Sequence, residues 1–130
     1  MSRKSKGINA ERELIHLFWA GKWAAVRIAG SGSMRYPCPD VLAGNSRRKI
    51  AVECKASKGE YQYLQKDEID ALKSFSSLFG AEPWIGVRFD NDNWYFVSLD
   101  DLAKTKQNFV VSRTLAKQKG LNFNEMIGNI

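Results

Sequence analysis

The segment from Trp23 to Lys55 reads as three short strands in succession, and no feature of the chain restricts its fold more. Trp23 to Ala29 is rich in small and β-branched residues, the composition of a strand, and the flexible run Gly30, Ser31, Gly32, Ser33 follows it. Prolines 37 and 39 bracket Cys38, and Asp40 opens a second strand through Val41, Leu42 and Ala43. Gly44, Asn45 and Ser46 then turn the chain, and Arg47, Arg48 and Lys49 lead into a third strand from Ile50 to Lys55. A connection that short joins antiparallel neighbours. A sheet made this way needs helices to cover it.

Two helices are at hand. Ile8, Leu14, Ile15, Phe18 and Trp19 recur at helical spacing, with Gly21 near the point where the helix should stop. At 100° per residue Glu11 falls in the middle of this apolar stripe, whereas Glu13 and His16 fall on other faces. A carboxylate that faces a core needs a physical reason. Past a polar connection over Ala56 to Tyr63, the residues Ile69, Leu72, Phe75, Leu78 and Phe79 define a second amphipathic helix from Gln65 to Phe79, ended by Gly80.

The remainder is more fragmented. Trp84 to Phe89 and Trp94 to Val97 flank the polar tip Asp90 to Asn93 and predict a hairpin, and Ser98 with Asp101 predicts the cap of a short helix. Phe109, Val110 and Val111 are strand-like, and Asn122 with Glu125 marks the start of another short helix. With no repeat, linker or low-complexity tract, the fold class expected is α/β, a central mixed sheet flanked by helices, in a single domain over 1–130.

Charge narrows the partners. Residues 1–60 carry twelve basic and five acidic side chains and residues 61–130 eight and nine, so a polyanion should meet the first half. No apolar run has the length of a membrane span, and the basic start Arg3, Lys4, Lys6 precedes an amphipathic segment instead of a signal-peptide core. A cytoplasmic protein with no membrane partner is expected. Cys38 and Cys54 match no zinc spacing and read as reduced thiols.

The chemistry gathers around Pro39-Asp40 and Glu53-Cys54-Lys55. Alternation along a strand puts Glu53 and Lys55 on one face and Cys54 on the other, in the core with Val52 and Ile50. Pairing of the second and third strands brings Asp40 near Glu53. Two carboxylates held together repel, and a hard divalent cation such as Mg²⁺ with oxygen ligands relieves them. Such an ion lowers the pKa of a bound water and neutralises charge on a phosphodiester, with Lys55 at hand to orient the nucleophile or screen the phosphate. The plain alternative is a turn-capping Asp40 and a surface ion pair of Glu53 with Lys55. Glu11 on an apolar face, Arg27 at the end of the first strand and the Gly-Ser run weigh against it.

These residues resemble the catalytic core of the restriction-endonuclease-like, or PD-(D/E)xK, nuclease superfamily. More closely, the chain resembles the archaeal-type Holliday-junction resolvases (Hjc). The likeness runs through Gly7, Ala10-Glu11-Arg12-Glu13-Leu14, Val26-Arg27, Ala29-Gly30-Ser31, Pro39-Asp40, Ala43-Gly44, Val52-Glu53-Cys54-Lys55, Phe75, Phe79-Gly80, and Trp94 with Phe96. It implies a homodimer that needs Mg²⁺, with Mn²⁺ as substitute, and cuts four-way DNA junctions symmetrically in recombination and repair. By resemblance Glu11 is the helix carboxylate of the site, Asp40 and Glu53 are metal ligands with Glu11 a third, and Lys55 is the catalytic lysine. Arg12 and Arg27 match DNA and phosphate contacts, and Ser31 or Ser33 falls in the loop that shapes the cut. The stretch Met34 to Cys38 is longer than is usual in the family and adds Arg35 and Tyr36 as DNA contacts.

For the rest, Arg3, Lys4 and Lys6 are read as phosphate contacts and Lys66 as a weaker one, while His16 is expected at the surface. Tyr61 and Tyr63 face one way and are expected to pack on the sheet; Trp84, Phe89, Trp94 and Phe96 are expected in the core, some of them at a second subunit. The rival readings are another PD-(D/E)xK endonuclease of repair or restriction type, and a non-catalytic junction-binding protein.

Overall fold

A computed structural model describes residues 3–33 and 35–128; the side chains of Arg3 and Lys4, expected as DNA contacts, lie outside what it describes. The chain opens with α1 (Arg3–Ala20), followed by β1 (Ala24–Arg27), a short 3₁₀ turn at Ser31–Ser33, β2 (Val41–Gly44) and β3 (Lys49–Ser57). Next come β4 (Tyr61–Gln65), α2 (Lys66–Phe79), β5 (Glu82–Phe89), β6 (Trp94–Val97) and a 3₁₀ turn at Leu99–Asp101. The chain continues through β7 (Ala103–Lys104), β8 (Asn108–Ser112), α3 (Arg113–Lys119), β9 (Leu121–Asn122) and α4 (Phe123–Met126).

The main sheet has the order β1-β2-β3-β5-β6-β9 and is mixed: β3 and β5 run parallel and the other neighbours antiparallel. Parallel pairing of β3 with β5 demands a crossover, and β4 with α2 supplies it. The expected α/β class is thus observed. So is the antiparallel hairpin, in which Val41 pairs with Val52 and Gly44 with Lys49, and Asn45 Oδ1 accepts from the Arg47 and Arg48 amides to hold the turn.

Apolar side chains cover both faces of the sheet. On one, α1 packs Leu14 and Phe18 against Trp23, Val41, Ile50, Val52, Trp94 and Phe96; on the other, Ile69 and Leu72 of α2 meet Ala51, Ile85, Val87, Phe89 and Val111. Gly86 lets these layers close, since a Cβ there would stand 2.9 Å from Val52 Cγ1. The left-handed Gly80 (φ 82°) ends α2, returning its N–H to the Ser76 carbonyl.

Several boundaries differ from the sequence reading. The first strand is shorter than Trp23 to Ala29 at both ends, and α1 begins well before Ile8. The region expected as a polar connection holds the end of β3 and the start of β4, because β4 pairs with β8, far along the chain, to build a separate three-stranded sheet of order β4-β8-β7. That pairing places Gln62 and Leu64 inward and turns Tyr61 and Tyr63 outward, 57% and 66% exposed and stacked on each other, so they do not pack on the sheet. Helix α3 was not expected either; α4 was, and Asn122 and Glu125 form its reciprocal capping box. Phe89, Trp94 and Phe96 are buried and Trp84 is half-buried, its indole donating to Glu82. His16 is exposed, as expected.

Candidate active site

Asp40 precedes β2 at the place where β1, β2 and β3 still share their ladder: its N–H donates to the Val52 carbonyl and its own carbonyl accepts from Ile28. Past the last paired residues, Val41 and Val52, the Asp40 amide still reaches the Val52 carbonyl, and the Asp40 carboxylate lies close enough to Glu53 to act on it. Asp40 Oδ2 accepts from the Cys54 amide at 2.9 Å, and Oδ1 accepts from the Ser31 hydroxyl. Strand alternation does the rest. Ile50 and Val52 enter the α1 core with Cys54 packed beside them, whereas Glu53 and Lys55 point to the α2 side with Ala51.

Glu11 reaches the site from α1 and holds Arg27, whose Nε donates to Oε1 at 2.8 Å. Burial and the nearby Asp40 push the Glu11 carboxyl above its usual range even so. The effect on Glu53 is larger: burial first, then Asp40, lifts it to about 9. The reason Glu11 interrupts its apolar stripe is thus this cluster. Cys38 sits at the rim, where burial and the same carboxylates raise its thiol.

Lys55 does not neutralise the cluster by itself. Its ammonium donates at 2.6 Å to Oε2 of Glu68, on the first turn of α2. Glu68 Oε1 accepts in turn from the Gln65 amide at 3.0 Å, as the N3 member of a capping box. Burial works against ionisation of Glu68, yet the Gln65 amide and Lys55 outweigh it and hold the carboxyl below its usual range. Sequence reading missed Glu68. The signal was the acid at the third helical position after Gln65, which marks a cap but not the lysine it meets.

The structure separates the other expected residues. Ser31 meets Asp40, whereas Ser33 is exposed. Arg35 and Tyr36 line a cleft of ≈ 350 Å³ with Ser31, Cys38, Glu53 and Glu68, the Arg35 guanidinium 5.6 Å from the Tyr36 ring centroid. Arg12 is exposed on α1. Lys6 pairs with Asp90 and Lys66 with Asp70, so neither ammonium is free of a carboxylate as expected for a bare phosphate contact. A larger cleft of ≈ 530 Å³ lies between Glu13, Arg88, Trp94 and Asn122, away from Asp40, and its one acid already accepts from Arg88 and Trp94.

The donor set fits a hard divalent cation. It is all oxygen, it is short of positive charge, and burial with Asp40 beside it pushes Glu53 up to about 9, a repulsion that a bound cation would relieve. Among the described residues no group of three acids, histidines or cysteines is gathered as a ready-made cage.

An acid before one strand, an acid and a lysine two residues apart on the next, and a helix carboxylate behind them define a nuclease of the restriction-endonuclease-like class. Comparison with known proteins carries this further. Residues 2–130 match the family model described as archaeal Holliday junction resolvase (Hjc), and the chain belongs to that family. It is 38% identical over 125 residues to the crossover junction endodeoxyribonuclease Hjc of Archaeoglobus fulgidus, covering 96% of this chain and 91% of the relative. To the Hjc of Methanocaldococcus jannaschii it is 32% identical, over 95% of this chain and 87% of that one. The solved structure of Archaeoglobus fulgidus Hjc, a Holliday junction resolvase, superposes with a TM-score of 0.87 at 34% identity, covering 96% of this chain and 98% of that one. No described helix is long and apolar enough to cross a membrane.

Proposed function

We propose that the chain, a crossover junction endodeoxyribonuclease by family, is one nuclease domain over 1–130 that hydrolyses four-way DNA junctions with Mg²⁺, or Mn²⁺ in its place. The observation that carries the reading is the Asp40 and Glu53 pair, two carboxyls close enough that Asp40, added to burial, helps lift Glu53 to about 9. Asp40 and Glu53 hold the cation, with Glu11 as a third acid beside them. When bound, that ion supplies an activated water and neutralises charge on the phosphodiester.

The chain's own groups do the positioning. Ser31 and the Cys54 amide fix both oxygens of Asp40, so that its carboxylate does not rotate. Lys55 presents an ammonium on the same side of β3 as Glu53 and screens the scissile phosphate or orients the attacking water. Glu11 aligns Arg27 for the phosphate, and Arg12, Arg35, Arg3 and Lys4 contact the DNA arms, joined by Lys6 once it exchanges Asp90 for a phosphate. Recognition is of shape and phosphates, which suits a surplus of basic residues in the first half of the chain.

A homodimer completes the reading. Trp19, Val26, Leu78 and Phe79 are 57%, 55%, 91% and 45% exposed, and Trp19, Val26 and Phe79 line one shallow apolar depression along β1 and β2. Burying that surface against a second copy removes apolar area from water and supplies the twofold that paired cuts require.

The test is incubation of the purified protein with a labelled four-way junction and its matched linear duplex, in Mg²⁺ or EDTA. Paired nicks in the junction alone, in Mg²⁺ alone, are expected. Equal cutting of the linear duplex overturns the substrate, and binding with no cutting in Mg²⁺ or Mn²⁺ overturns the activity.

A further inference from the structure

Lys55 and Glu53 stand two residues apart on one face of β3, about 7 Å between their Cα atoms at the rise of a strand. A lysine ammonium on its flexible four-carbon stem covers that distance easily. With nothing else nearby it would fold back onto Glu53, the closest acid on its own strand. There it would occupy the space of a cation and be withdrawn from any phosphate. In the structure its Nζ is instead held at 2.6 Å by Glu68, on the first turn of α2.

Glu68 is built for this. Its Oε1 is bound to the Gln65 amide at 3.0 Å, so the carboxylate is anchored to backbone and cannot follow the ammonium. The helix that carries it is fixed from below by buried Ile69 and Leu72 and from behind by β4, which pairs with β8 over its whole length. Glu68 also lines the cleft with Glu53, Ser31 and Arg35, so the carboxylate that holds Lys55 borders the site itself.

We propose that Glu68 is a positioning residue for the cleavage reaction: anchored on the first turn of α2 at the edge of the cleft, it fixes the Lys55 ammonium in place and keeps it off Glu53. The proposal rests on the reading of Lys55 as the catalytic lysine. The contact exists only because β4 returns the chain to the start of α2 beside β3. Capping accounts for one oxygen of Glu68, and the second is the one with a role in the reaction.

Glu68→Gln separates the two duties, since glutamine serves at the third helical position of a capping box and has no charge to hold an ammonium. Cleavage of the junction under single-turnover conditions is expected to slow by about ten- to a hundredfold, the scale of a misplaced catalytic group. The junction Kd should stay within about twofold and thermal unfolding should shift by only a few degrees, while the control Asp70→Asn on the exposed side of the same helix should change neither. In metal-free protein with ¹⁵N-labelled lysine, the Nζ resonance of Lys55, assigned by its loss in Lys55→Met, should be protected from exchange in the wild type and move or broaden in Glu68→Gln. Wild-type cleavage by Glu68→Gln, a loss of junction affinity as large as the loss of rate, or a Lys55 resonance indifferent to the substitution each overturns the proposal. A wild type that does not cut at all overturns the functional reading instead, and the resonance still decides whether Glu68 holds Lys55.

Discussion

Two sets of carboxylates in this molecule sit in opposite electrostatic states. Glu13 and Glu82, away from the cleft, each face a guanidinium: Arg88 Nε donates to Glu13 at 2.9 Å, and Arg48 makes a two-pronged contact with Glu82 at 2.8 and 2.9 Å. Those hydrogen bonds hold both acids below their usual range. In the cleft the balance reverses. Glu11 and Glu53 are raised by burial and by Asp40, although Arg27 and Lys55 are near. The first set is matched within the chain and serves the fold; the second is left short of cations, which is a cost to the fold and an invitation to a metal ion.

The sharpest way to break this comparison is Asp40→Asn. Cleavage of the junction should fall by about a thousandfold or more, the size of losing an ion that stabilises transition-state charge, while a gel-shift assay with the junction in EDTA should show unchanged binding. Persistent activity would mean that the unmatched carboxylates are not the metal site.

Stability measurements should then move in opposite directions in the two sets. Glu53 stays protonated to about 9 in the folded chain but ionises near the ordinary carboxylate value when unfolded, so its cost to metal-free protein grows as pH rises between those points. Glu53→Gln removes that cost and should raise stability at pH 8 by an amount on the order of 2 kcal/mol, read by urea unfolding in EDTA. Glu82→Gln leaves Arg48 without its partner and should lower stability by about 1 kcal/mol in the same assay, a discounted figure because the pair is partly exposed.

A smaller contrast concerns the two serines of the Gly-Ser run. Ser31→Ala frees one oxygen of Asp40 and should slow single-turnover cleavage by about tenfold, whereas Ser33→Ala should leave the rate alone. Smallest is the acid limb of stability. Glu13 and Glu82 contribute above their unfolded pKa, and this contribution is lost as pH falls through their depressed folded values. Stability measured below pH 4.5 should therefore fall less steeply in the Glu13→Gln, Glu82→Gln double variant than in the wild type.

Much of the site was legible because its members lie on short, regular elements. Period two on Ile50 to Lys55 separates Glu53 and Lys55 from Cys54, the tight turn at Gly44 to Ser46 brings Asp40 near Glu53, and the helical period of α1 exposes Glu11 as an acid out of place. Each of these is local, or one hairpin away. Tyr61 and Tyr63 show where local reasoning stops: alternation correctly puts them on one side, but which side faces solvent depends on β8, paired across dozens of residues.

The chain by itself therefore determined the α/β class and, through its resemblance, the family that the comparisons then showed, and it singled out the acids and lysine of the candidate site. Tertiary structure alone decided that Glu68 meets Lys55, that Ser31 and not Ser33 meets Asp40, and that Lys6 is paired with Asp90. The physical reason is one of range. Hydrophobic period and turn chemistry act over a few residues, whereas a carboxylate chooses its cation by distance in space, and the crossover of β4 and α2 set that distance.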